Sequence, residues 1–179
     1  SKLLIISYIR YMVMFLLLVV LQVVVLNSIS FFSFAIPLIY IYFILKLPVS
    51  LNRNITLLLG FFIGFVIDIF CNTPGINAAA TTLVALLRKP IMGIFIMTDE
   101  YLDSEPAIST VGMGPFMKYT VLLVLVHMIA LVSLEAFSFF NLKLIALKII
   151  FSTLISSLLI FGFEGFGATS KKNASWRKI

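Results

Sequence analysis

The stretch NITLLLGFFIGFVIDIFC, Asn54 to Cys71, decides how the chain folds. It is close to the length of one membrane-crossing helix and holds one carboxylate, Asp68. A barrel strand would be about 10 residues long and would alternate polar with apolar side chains. Here the apolar residues fall on every face, and main-chain groups in lipid must be satisfied within the segment, so an α-helix is expected. Gly60, Gly64 and Asp68 recur every four residues and share one helix face. Small residues at that spacing let another helix backbone approach closely, so the face is expected to serve helix packing or partner binding. A carboxylate at this depth must face protein, water or a cation. Asp68 therefore has three readings: a cap on the Asn72–Asn77 turn, a partner contact, or a transport group.

The rest of the chain has the same character. Of its 179 residues 62% are hydrophobic and 11% charged, with a mean hydropathy of +1.20. Soluble domains carry about 25% charged residues. The uncharged run from Tyr11 to Leu45 is too long for one span and is broken by Asn27-Ser28-Ile29-Ser30, so two helices are expected, about Tyr11–Leu26 and Phe32–Leu47. Lys46, Pro48, Asn52 and Arg53 connect to the third span, and Asn72-Thr73-Pro74-Gly75 turns into a fourth helix from Ile76. Arg88-Lys89-Pro90 interrupts that helix early. It either starts below the membrane surface or continues past Pro90 with a kink, with Ile91–Met97 in the interface. Residues 98–115 hold Asp99, Glu100, Asp103, Glu105 and Pro106 and read as a water-exposed loop. The fifth span is expected at Phe116–Ala136 and the sixth at Leu142–Phe163, joined by a turn at Ser138–Asn141.

With the N-terminus inside, Lys2, Arg10, Lys46, Arg53, Arg88, Lys89, Lys118, Lys171, Lys172, Arg177 and Lys178 all fall on the cytoplasmic side. Only Lys143 and Lys148 fall outside, at the start of the sixth helix. Glu135 sits opposite them across the turn, and an intramembrane ion pair from Glu135 to Lys143 or Lys148 accounts for the exception. The expected fold is an all-α integral membrane protein with six transmembrane helices, N-in/C-in, and a cytoplasmic loop between helices 4 and 5. Residues 1–164 form the six-helix domain and 165–179 a basic cytoplasmic tail. The first run is expected as a retained helix and not a signal peptide.

The net charge of +6 comes from residues scattered at the ends of apolar runs, which is a topology pattern and not a nucleic-acid surface. One cysteine, Cys71, and one histidine, His127, leave no metal-ligand spacing and no hydrolytic motif. No catalytic, cofactor-binding or metal-ligating set is expected. His127 lies eight residues before Glu135 on nearly one face, which reads either as a proton path or as a histidine bonded to a neighbouring helix. Ser152, Thr153, Ser156 and Ser157 form a hydroxyl face suited to packing against a neighbour.

Leu47-Pro48, Gly60-Phe61, Gly64, Asp68, Gly75 and the small-residue start of the next helix, with Leu21-Gln22 and Pro37 before them, resemble the rod shape-determining MreD family. The likeness follows order and spacing through much of the first half, and hydropathy alone in the second. It implies a non-enzymatic inner-membrane component of the cell-elongation (rod) complex that helps regulate cell shape and peptidoglycan synthesis. Its implied partners are an MreC-like single-span membrane protein, through it a peptidoglycan glycosyltransferase and transpeptidase and, indirectly, an actin-like filament, besides membrane lipids. The rival is the substrate-binding S component of an energy-coupling-factor vitamin transporter. Such proteins carry alanines four apart on the first helix, whereas the first alanine here is Ala35.

Overall fold

The computed structural model describes residues 2–27, 35–96, 104–136 and 141–176, without the side chains of 2–4 and 168–176. It is all-helical, with no strand among the described residues. Helix α1 spans Lys2–Val20 and runs on as a π-helical turn, Leu21–Leu26. A single turn, α2, covers Tyr42–Leu45; α3 is Arg53–Cys71, α4 Ile76–Phe95, α5 a single turn at Ile108–Val111, α6 Met113–Glu135 and α7 Leu142–Trp176. Five of these are long and apolar enough to cross a membrane: Ile5–Leu26, Arg53–Cys71, Ile76–Phe95, Met113–Glu135 and Leu142–Gly167.

The expected second helix, Phe32–Leu47, is the main correction. From residue 35 to 39 the described chain is irregular, and only Tyr42–Leu45 is helical. Much of it is nevertheless fully buried: Ile39, Tyr40, Ile41, Ile44 and Leu45 are all 0% exposed. A short apolar run has no periodicity that separates a helix from a buried extended segment. Non-helical backbone is tolerated inside a membrane bundle only where protein surrounds it and supplies the missing hydrogen bonds. Both conditions are met here.

The other boundaries move less. α4 passes through Pro90 and ends at Phe95, so the continuous alternative holds, with the Leu86 carbonyl left without its usual helical donor. Ile91, Met92 and Ile96 are buried in the core and not laid in an interface. Within the expected loop 98–115, Ile108–Val111 is helical and α6 begins at Met113; Asp99, Glu100 and Asp103 lie outside the described residues. The turn residues 28–30 and 138–140 also lie outside them. Helix α7 does not stop at 164 but continues through Trp176.

Helix directions follow from end-to-end contacts. Asn27, closing α1, donates to Cys71 Sγ at the end of α3, 2.7 Å away, so α1 and α3 run parallel. The chain between them must therefore return along the bundle. Its described part does so: Ile36 touches Ser152 of α7 while Tyr42 and Lys46 touch Glu164. Twelve helical residues separate those two levels, about 18 Å. The end carrying Arg10, Lys46, Glu105 and Glu164 is called basal below, and the end carrying Cys71 and Glu135 distal.

Candidate functional site

The distal joint is built around Asp68. Asn72 ends α3 in the left-handed region with φ 55°, and Gly75 begins α4 with φ 79°, a backbone that favours glycine. This tight connection brings the first N–H groups of α4 back onto the Asp68 carboxylate. Oδ1 accepts from the Thr73 hydroxyl at 2.6 Å and from the Asn77 backbone and side-chain nitrogens, both at 2.9 Å. Oδ2 accepts from the Ala78 backbone at 2.9 Å. A negative charge here meets the positive end of the α4 dipole and fills donors that a helix start leaves open.

Below the joint, the glycine face is occupied within the chain. A Cβ on Gly64 would lie 2.5 Å from the Asn77 carbonyl oxygen and 2.6 Å from Ala78 Cα, and one on Gly60 would lie 2.8 Å from Ala85 Cβ. The face is closed by α4 and is not open to another protein's helix. Gly75 itself has open space around it, so its conformation and not a contact requires glycine.

The return segment is held by side chains. Ser152 Oγ accepts the Ile36 N–H at 2.8 Å, and Ser156 Oγ accepts the Leu38 N–H at 3.0 Å. From the other side, Gln22 Oε1 accepts the Ile39 N–H at 2.8 Å while its Nε2 donates to the Pro37 carbonyl at 3.1 Å. Gln22 lies in the π turn, whose wider bond from Asn27 N to Gln22 O, 2.9 Å, re-aims side chains that an α-turn would place elsewhere. At the basal end, Arg88 is fully buried; it donates to the Leu47 carbonyl and, at 3.2 Å, to the Tyr119 hydroxyl, which in turn donates to the Leu45 carbonyl at 3.2 Å. Tyr119 thus caps the last carbonyl of α2 and Arg88 holds the chain just past it, so Arg88 is a buried structural cation and not only a charge at the end of an apolar run.

A hydrogen-bonded bridge crosses the middle. Tyr40 Oη donates to Asn77 Oδ1 at 2.7 Å and lies 3.0 Å from His127 Nε2. His127 and Glu135 are not brought together, since Glu135 pairs with Lys148 at 3.2 Å. Lys143 is exposed and makes no ion pair with a described residue.

The basal cluster escaped the sequence reading. Glu164 accepts from Tyr42 Oη at 2.5 Å, from the Ile108 N–H at 3.2 Å, and pairs with Lys46 at 3.3 Å. Glu105 pairs with Arg10, accepts from Tyr11 Oη at 2.6 Å and lies 4.0 Å from Lys46. Two cations and two carboxylates tie α1, the return segment, α5 and α7 together. The one available signal was Glu164, a lone carboxylate in the apolar stretch Phe161–Phe166.

Among the described residues no group of three metal-ligating side chains converges. The class that the fold and these ties define is a helical bundle of membrane-crossing type in which a described internal segment, residues 35–41, is half-buried or buried without being helical. No family model, curated protein or solved structure matches the chain.

Proposed function

We propose that this chain is a non-enzymatic component of a membrane-embedded wall-elongation assembly, of the MreD kind, that works by binding an MreC-like single-span protein and through it the peptidoglycan glycosyltransferase and transpeptidase. The observation that carries the reading is how the residues of the family resemblance are used. Gln22 meets Pro37, Leu47 receives Arg88, Gly60 and Gly64 receive α4, and Asp68 with Gly75 closes the α3–α4 joint. Residues that look like scattered weak motifs belong to one frame.

In this reading the chain crosses the inner membrane six times, N-in/C-in, with the return segment as the second crossing. The parallel run of α1 and α3 requires a return between them, and the basal end collects most of the basic residues. The partner's helix docks on faces the chain leaves uncovered, since the Gly60-Gly64 face is filled. Helix α1 is the least buried of the five long helices, and Phe61, Phe62 and Phe65 form an exposed aromatic row on α3.

The test is a pull-down of the full chain in detergent from its native membrane, with mass spectrometry of co-eluting protein and small molecules. A single-span protein with a large external domain, or wall-synthesis enzymes, is the expected result. A bound vitamin with an ATPase pair would overturn it in favour of a transporter subunit.

A further inference from the structure

Four fully buried side-chain polar atoms have no hydrogen-bond partner among the described residues: Thr120 Oγ1, His127 Nδ1, Thr153 Oγ1 and Ser157 Oγ. All four belong to α6 or α7. Buried polar groups are nearly always paired, so four orphans confined to one helix pair mark a place and not a scatter of defects. The antiparallel register set by Glu135 against Lys148 and Phe116 against Phe161 puts Thr153 level with His127 and Ser157 close to the level of Thr120. The return segment supplies a second fix on position. Tyr40 touches His127, and Leu38, two residues earlier, touches Ser156, which directly precedes the orphan Ser157 on α7.

The chemistry of the set limits what it can bind. The Asn77 amide gives its hydrogens to Asp68 and Thr73, so its oxygen takes the Tyr40 proton; the Tyr40 oxygen then accepts from His127 Nε2–H. That leaves Nδ1 as a bare acceptor. The three hydroxyls each donate and accept. With no carboxylate or cation in the set, neither a metal ion nor an anion is matched. The fitting ligand is small, neutral and both donor and acceptor.

We propose that the α6–α7 seam beside the Tyr40–His127 contact is an internal hydration site, in which ordered water bridges His127 Nδ1 to Thr153 and Thr120 to Ser157. Helices α6 and α7 are then joined at mid-bundle through exchangeable water bridges, unlike the dry glycine contact between α3 and α4.

The test is X-ray hydroxyl-radical footprinting of the full chain in lipid nanodiscs, since radicals form at bound water and oxidise the side chains next to it. His127 and Met128, both fully buried, are expected to be oxidised several-fold faster than the equally buried Met92. Thr153→Val is expected to cut that oxidation several-fold and to lower the unfolding midpoint by about 2–4 °C. Oxidation of His127 and Met128 no faster than Met92, or a Thr153→Val midpoint unchanged or raised, would overturn the site and make the seam dry. If the variant does not fold, the wild-type comparison with Met92 decides alone.

Discussion

Ser156 Oγ accepts the backbone N–H of Leu38 at 3.0 Å across 118 residues of sequence. An extended segment inside an apolar bundle has no ladder of its own, so each such bond stands where a helical or sheet bond would. Ser156→Ala leaves that N–H buried without an acceptor and is expected to destabilise the protein by about 1–3 kcal/mol. Gln22→Leu removes two bonds to the same segment and is expected to cost more. Unfolding midpoints in mild detergent check both.

The two glycines of α3 differ in what an added methyl would strike. At Gly64 it would lie 2.5 Å from the Asn77 carbonyl oxygen and 2.6 Å from Ala78 Cα; at Gly60 the nearest atoms, Ala85 Cβ and the Thr81 carbonyl oxygen, are equally fixed to α4 but stand farther off, at 2.8 and 3.0 Å. Alanine improves helix propensity by about 1 kcal/mol at either position, which offsets part of the overpacking. Gly64→Ala is therefore expected to destabilise by about 1–3 kcal/mol and Gly60→Ala by distinctly less. Equal effects would mean that the helices separate freely.

Asp68→Asn keeps the shape and replaces an acceptor oxygen by a donor NH2. All four hydrogen bonds to the carboxylate come from donors, so one orientation sets the amide against the Ala78 N–H and the other against Thr73 and Asn77. The expected loss is about 1–3 kcal/mol. Hydrogen exchange at the first turn of α4 is expected to rise with it, and unchanged protection there would count against the capping role.

For Glu135 and Lys148, each about one-third exposed, the pair energy is small. Reversing either charge alone is expected to destabilise, and reversing both is expected to restore most of the loss, with a coupling of about 0.2–1 kcal/mol. A double mutant no better than the worse single would deny the pair.

What the sequence made legible was local. The apolar runs identify membrane-type helices, the four-residue spacing puts Gly60, Gly64 and Asp68 on one face, and a single short turn separates Glu135 from Lys148. The return segment was not legible, because Ala35–Leu45 carries no charge and no helix-breaking signal but Pro37, and two of the three side chains that hold it, Ser152 and Ser156, lie over a hundred residues away. Arg88 misled for a related reason. A cation near a proline at the end of an apolar run is ordinarily a topology marker, and only its bonds to the Leu47 carbonyl and the Tyr119 hydroxyl reveal its use inside the bundle.

The central claim is that the chain returns through the bundle between α1 and α3, so that the loop before α3 and the turn after it lie on opposite sides of the membrane. Cys71 is the sole cysteine, so Cys71→Ser gives a thiol-free background for Ser50→Cys and Pro74→Cys, both at exposed positions. Labelling intact cells with a membrane-impermeant thiol reagent is the direct measurement. The account predicts that the thiol at position 74 reacts from outside and that the one at position 50 reacts only after permeabilisation. Reaction of both thiols from the same side would contradict it.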